Sequence, residues 1–185
     1  SSGSTNFLSL ASAQAGNHAI VDIPVIISND SNRVDGIYFD LNAQSIEITV
    51  DADSPKFFNN DVHQAGGTDP ILESYTDGFN IDSNYFTRTD QNNNSVGILL
   101  EGPFKAPTGG TTYVRFVDNY VNNIQNDAVV IKDATTSTDL IIDENIIGTS
   151  SRTVQGHWIK FINVDLEGLK LDFHYIRYIS NTAIL

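Results

Sequence analysis

Few side chains in this sequence have the type and setting needed for chemistry. Gly156-His157-Trp158 places the single Trp at a junction between a loop and a strand, and an exposed aromatic face there would pack well on a sugar ring. His174 is a second candidate, but a general base needs an orienting partner, and the sequence alone does not place a carboxylate beside it. We therefore assign no catalytic residue and list Trp158, Tyr120 and Tyr175 as candidate carbohydrate contacts.

Metal and cofactor chemistry has little support in the sequence. Cys is absent, which excludes disulfides and thiolate metal sites. The segment Asn163-x-Asp165-x-Glu167-Gly168 begins like a calcium loop, but His174 stands where that loop needs its bidentate Glu. We predict no cofactor; the acidic composition is compatible with a surface calcium ion held by loop Asp and Asn side chains.

The charge balance excludes two classes of partner. Lys and Arg number 10 against 23 Asp and Glu, a net charge of −13, whereas nucleic acids require a basic face. No apolar run approaches the roughly 18 residues that a membrane helix needs. We expect neither nucleic-acid binding nor membrane insertion.

An internal repeat supplies the frame that positions these residues. Four units share one polar position and two apolar positions, five and three residues before it. The polar column contains Asn84, Asn119, Asn145 and His174. The apolar columns contain Phe79, Val114, Leu140 and Leu169, and then Ile81, Phe116, Ile142 and Leu171. A weaker fifth copy is Ile37-x-Phe39-x-x-Asn42.

The repeat predicts an all-β parallel β-solenoid of about 4–5 coils. Coils stacked about 4.8 Å apart require apolar side chains at every equivalent inward position, and an Asn at a corner is able to pass amide hydrogen bonds from coil to coil. An antiparallel sandwich is the rival, because residues 18–50 alternate in the manner of half-buried strands.

Particular units resemble a known superfamily. Val114-Arg-Phe-Val-Asp-Asn-Tyr-Val-Asn-Asn-Ile and Leu140-Ile-Ile-Asp-Glu-Asn-Ile-Ile-Gly look like coils of right-handed parallel β-helix proteins of the pectate-lyase-like superfamily. The resemblance implies a right-handed solenoid. For an enzyme it implies either a lyase or a glycosidase, and the glycosidases of this fold carry paired aspartates and a Gly-His-Gly element. Gly156-His157-Trp158 departs from that element, and no Asp-Asp pair occurs in the sequence. An enzyme is therefore the less favoured interpretation.

The expected organisation has two parts. Residues 1–33 are interpreted as an N-terminal leader with cap strands, which form either a separate strand layer or a cap on the coils. Residues 34–185 are interpreted as the coils, with loop insertions at about 57–76 and 102–112, where Gly and Pro cluster.

We expect a secreted, non-enzymatic β-solenoid that assembles into an extracellular fibre, filament or surface structure on a cell or virion. Open solenoid ends recruit further strands, so self-association or a neighbouring chain is the expected partner. The residues assigned to assembly are Phe7, Leu8, Leu10, Ile184 and Leu185. The alternative is a β-helix that binds or processes polysaccharide, such as a lyase, an epimerase or a phage tailspike segment. An adhesin module is a third interpretation.

Overall fold

The computed structural model describes most of the central part of the chain. The described residues are 20–28, 33–49, 55–75, 78–88, 96–102, 114–124, 126–134, 140–147, 156–164, 170–172 and 175–176. Within these ranges the regular secondary structure consists entirely of short strands, numbered here in chain order.

The strands form three parallel sheets, here called A, B and C. Sheet A contains β1 (Ile20–Val21), β4 (Tyr38–Leu41), β7 (Asp61–Gln64), β10 (Tyr85–Arg88), β13 (Tyr120–Asn122), β16 (Ile146–Ile147) and β19 (Tyr175–Ile176). Sheet B contains β2 (Val25–Ile27), β5 (Ile46–Ile48), β8 (Leu72–Ser74), β11 (Ile98–Glu101), β14 (Val129–Lys132) and β17 (Ile159–Ile162). Sheet C contains β3 (Arg33–Asp35), β6 (Lys56–Phe58), β9 (Phe79–Asp82), β12 (Val114–Val117), β15 (Leu140–Asp143) and β18 (Lys170–Asp172).

Each coil consists of one strand from sheet A, then one from B, then one from C. Coil 1 is β1–β2–β3 and coil 6 is β16–β17–β18, while β19 begins a further turn. The prediction of an all-β parallel solenoid is confirmed. Every strand pairing between described residues is parallel, so the sandwich alternative fails for this part of the chain.

The core forms where the apolar columns stack. Val114 pairs with Phe79 on one side and with Leu140 on the other, and all three are buried. Phe116 lies in the same way between Ile81 and Ile142. Leu171 continues this second column in the strand register, whereas Leu169 lies outside the described residues.

The described coils number six, more than the 4–5 expected, because the early coils were misread. β1, β2 and β3 pair into the same three sheets as later strands, so residues 20–35 form a coil and not a separate layer. The range 57–76, expected to be a loop insertion, instead contains β7, β8 and most of β6. Most of the expected insertion at 102–112 lies outside the described residues.

The weak fifth copy was placed in the wrong sheet. Phe39 pairs with Val62 in sheet A, whereas Ile81 belongs to sheet C. The earlier member of the Ile81 column is Phe57. The corresponding polar position is therefore Asn60 and not Asn42.

Candidate functional site

The corner between sheets C and A, here called the C–A corner, is the most regular feature of the solenoid. Two residues make the turn in each of the first five coils, and the first of them has a positive φ. These first residues are Gly36 (68°), Asn59 (52°), Ser83 (58°), Asp118 (54°) and Glu144 (51°). This left-handed conformation is unfavourable for residues other than Gly, so the corner needs compensating interactions.

An asparagine ladder supplies them. Asn119 Oδ1 accepts hydrogen bonds from the Asn84 main-chain N–H (3.1 Å) and the Asn84 side-chain amide (3.0 Å). Asn119 in turn donates its main-chain N–H to Asn145 Oδ1 (2.9 Å) and its side-chain amide to the Ile81 carbonyl (3.0 Å). Asn60 repeats the arrangement one coil earlier, donating its N–H to Asn84 Oδ1 (2.9 Å).

All four asparagines are buried, so the ladder links coils 2 to 5 and has no face for a ligand. His174, assigned to the same column, lies outside the described residues. Asn60 was not identified from the sequence. The signal for it was Phe57 three residues earlier, obscured because Pro55 occupies the other apolar position.

The candidate carbohydrate contacts are not brought together. Trp158 lies in the core and is 1% exposed, so its ring cannot stack on a sugar. Trp158 lies directly before β17, where its side chain and that of Ile159 are both buried. Tyr120 is half-buried on the outer side of sheet A, and Tyr175 is aligned two coils away with Ile146 between them.

Tyr120 ends a row of stacked rings on the outside of sheet A. The ring centroids are 4.9 Å apart for Tyr38 and His63, 5.6 Å for His63 and Tyr85, and 5.2 Å for Tyr85 and Tyr120. Asn122 donates a hydrogen bond to the Tyr85 hydroxyl (3.1 Å). The ring faces contact one another, so the row offers ring edges and hydroxyl groups rather than a flat platform.

An Asp–His–Lys cluster joins coils 5 and 6. Asp127 Oδ1 accepts hydrogen bonds from the His157 main chain (2.7 Å) and lies 2.8 Å from His157 Nδ1, while Lys160 Nζ lies 3.1 Å from Oδ2. Burial alone would raise the pKa of Asp127, but these hydrogen bonds and the Lys160 charge hold it below its usual value. The Asp127 carboxylate is occupied by these contacts, which hold the two coils together. The described residues place no nucleophile beside His157.

A row of acidic side chains follows the C–A corner. Partial burial, together with the hydrogen bond and negative charge of Glu144 and the charges of Asp82 and Asp143, raises the pKa of Asp118 to about 6. No group of three or more Asp, Glu or His residues in the described ranges is arranged to hold a metal ion. The surface calcium ion therefore remains a prediction.

A groove lies on the outside of sheet B. Its volume is about 240 Å³, and its wall is formed by Pro24, Val25 and Ile26. Glu47 and Glu73 lie on its opposite side and are adjacent in the strand register. The Tyr75 hydroxyl donates a hydrogen bond to Glu73 (2.8 Å). Burial raises the pKa of Tyr75 most, and the hydrogen bond to the Glu73 carboxylate raises it further.

Comparison with known proteins finds no matching family, no similar curated protein and no similar solved structure. Among the described residues, no helix has the length and apolar character required to cross a membrane.

Proposed function

We propose that this protein is a non-enzymatic β-solenoid scaffold that self-associates outside the cell, on a cell surface or on a virion. We also propose that the solenoid is right-handed and of the pectate-lyase-like type. Parallel strands joined by crossovers are right-handed in nearly all proteins, and the repeat units resemble that superfamily.

One observation carries the proposal, which is the placement of exposed apolar side chains. The large apolar side chains that are exposed in the described residues belong to coil 1 and coil 6. They are Ile20 (38%), Ile23 (62%), Ile26 (63%), Ile146 (39%) and Ile162 (38%). In the described part of coils 2 to 5, no large apolar side chain is comparably exposed. Apolar surface of this kind favours contact with another protein.

The test is sedimentation velocity over a wide concentration range. We expect the intact protein to form species larger than a monomer. Ile20→Ser combined with Ile23→Ser should weaken association at least about tenfold, or 1.4 kcal/mol. Asp22→Ser is the matched control, since it alters the exposed segment between these isoleucines without removing apolar surface. A protein that is monomeric at every concentration would contradict the proposal.

Polysaccharide binding is a second candidate, favoured by the stacked row on sheet A. Tyr85 and Tyr120 present hydroxyl groups and ring edges on successive coils, which suits an extended polymer lying along the axis. Affinity electrophoresis in gels containing neutral or acidic polysaccharides provides the test. Tyr120→Ala should restore free mobility, whereas Tyr75→Ala on sheet B should not. Equal mobility in all gels, with and without polymer, would exclude this candidate.

A further inference from the structure

The outer sides of sheets B and C each carry one central column of side chains along the solenoid axis. From coil 1 to coil 6, the sheet B column is Ile26, Glu47, Glu73, Leu99, Val130 and Lys160. The sheet C column is Arg33, Lys56, Asn80, Arg115, Ile141 and Lys170. The acidic members lie in the early coils of B, and C carries basic residues along most of its length.

Several of these charges are already paired within the molecule. Arg33 contacts Asp35 (2.6 Å), Lys160 contacts Asp127 (3.1 Å) and Lys170 contacts Asp143 (3.7 Å).

Four charged residues of the two columns make no ion pair with any described residue. They are Glu47 and Glu73 on sheet B, and Lys56 and Arg115 on sheet C. Arg115 Nε is also without a hydrogen-bond acceptor. The unpaired charges of the two columns are therefore opposite in sign and equal in number.

We propose that the sheet B face of one molecule packs against the sheet C face of a second copy, with Glu47 and Glu73 facing Lys56 and Arg115. The inference rests on the proposed self-association and adds a lateral contact to the one formed by the exposed isoleucines of coils 1 and 6. Both columns repeat once per coil, so two solenoids with parallel axes keep their side chains in step along the contact.

The unshifted parallel arrangement matches the two columns coil by coil. Glu47 and Lys56 both belong to coil 2, so they meet directly. Glu73 meets Asn80 in coil 3 and lies between Lys56 and Arg115, both within reach of a long side chain. The groove beside Glu47 is suited to the Lys56 stem, because a lysine packs its methylene groups on apolar surface while its ammonium group meets a carboxylate.

This contact joins two different faces, so it is heterologous. It generates a closed ring if the rotation closes, and otherwise an open lateral array. The net charge of −13 opposes approach at long range. At about 0.1 M salt this repulsion is screened beyond roughly 10 Å, whereas paired side chains in contact are screened less.

Charge reversal tests the contact. One variant carries Glu47→Lys and Glu73→Lys, and the other carries Lys56→Glu and Arg115→Glu. Each variant alone has two faces of the same sign and should associate at least tenfold more weakly than the original protein. Mixed in equal amounts, the two variants present opposite faces to each other, so sedimentation velocity should show association restored to within about threefold.

Asp40→Lys combined with Glu144→Lys is the control for the first variant, because it changes the charge equally at residues outside the strands of sheets B and C. Thermal melts by circular dichroism show whether each variant folds. If the Arg115→Glu protein does not fold, Glu47→Lys and Lys56→Glu form the minimal pair.

The outcomes separate this inference from the proposed function. Restored association in the mixture supports the contact. Association of the original protein that is unchanged in both charge variants overturns the contact and leaves self-association standing. A protein that is monomeric, alone and in the mixture, overturns both.

Discussion

Two corners of the solenoid satisfy the polar groups of their turns in different ways. The C–A corner uses two residues in each of the first five coils, whereas the linkers from sheet A to sheet B, here called the A–B corner, vary widely. Three residues separate Val21 from Val25, and eleven separate Ile147 from Ile159. A two-residue turn leaves little freedom, so each coil needs the same hydrogen bonds in the same places. Where the structure describes the longer linkers, their polar groups are satisfied individually.

The A–B corner shows what an individual solution looks like. Arg88 is buried and donates from Nε to Gln64 Oε1 (2.7 Å) and from Nη2 to the Asp69 carbonyl (2.9 Å). Gln64 donates to the Gln44 carbonyl (2.9 Å). In the preceding coil the residue aligned with Gln64 is Leu41, which has no polar side chain, so this network is not repeated along the axis. Regularity is therefore a property of the short corner.

Inserting one residue at each corner should give the largest difference in unfolding free energy between the two corners. A Gly inserted between Asp118 and Asn119 would move Asn119 out of the ladder and break several buried hydrogen bonds. We expect a loss of at least about 3 kcal/mol of unfolding free energy. A Gly inserted between Asn93 and Asn94, in the nine-residue linker between β10 and β11, should cost less than about 1 kcal/mol. Equal losses in urea titrations would contradict the distinction.

Removing one ladder side chain should have the next largest effect. Asn119→Leu leaves the Asn84 N–H and the Ile81 carbonyl without their partners, and both are buried. We expect a cost of about 2–3 kcal/mol. Asn163→Gly is the control, because the Asn163 side chain bonds Asp133 at an exposed site and Gly keeps the positive φ of this residue (53°), so the change should cost less than about 0.5 kcal/mol. A similar midpoint for both variants in urea would refute the role of the ladder.

Glycine substitutions at the two corners should also differ in their cost to stability, but by a smaller amount. A Cβ added at Gly97 would lie 2.5 Å from the Ala128 carbonyl oxygen, so Gly97→Ala at the A–B corner should cost about 1–3 kcal/mol. A Cβ at Gly36 meets nothing within 4 Å. Gly36→Asn should therefore cost less than about 0.5 kcal/mol, since Asn59 adopts the same conformation one coil later and Asn tolerates it. A greater loss for Gly36→Asn than for Gly97→Ala would reverse the expected order.

The smallest predicted effect is a pH dependence at the C–A corner. The pKa of Asp118 is raised from 3.8 to about 6 in the folded protein, so folding favours its protonated form. Its contribution to stability is present below about pH 4 and is lost as the pH rises through 6. Because the side chain is exposed, the effect should not exceed about 1 kcal/mol. Asp118→Asn should stabilise the protein at pH 7.5 but not at pH 4. An equal effect at both pH values would contradict this.

The same contrast explains what the sequence revealed. Asn84, Asn119 and Asn145 were found because the two-residue corner keeps them at a fixed distance from the apolar columns of sheet C. Asn60 was missed because Pro55 replaces the first apolar residue of its unit.

The outer charge columns were not foreseen as a whole. Between Glu47 and Glu73 the sequence passes through β6, β7 and the seven-residue linker between Gln64 and Leu72, and linkers of variable length hide which residues become neighbours. The contact between Asp127 and His157 was missed for the same reason. Positions fixed by the short corner were predictable, and positions set by the longer linkers required the structure.

The central claim is that side-chain amides at the C–A corner hold successive coils in register. Amide hydrogen exchange measured by NMR tests it at single residues, because the Asn60, Asn84 and Asn119 main-chain N–H groups each donate to the side chain of the next coil. These amides should exchange as slowly as those of the buried strand β12, and Asn119→Leu should accelerate exchange selectively at Asn84. Exchange at the three asparagines as fast as at exposed Asn163 would contradict the account.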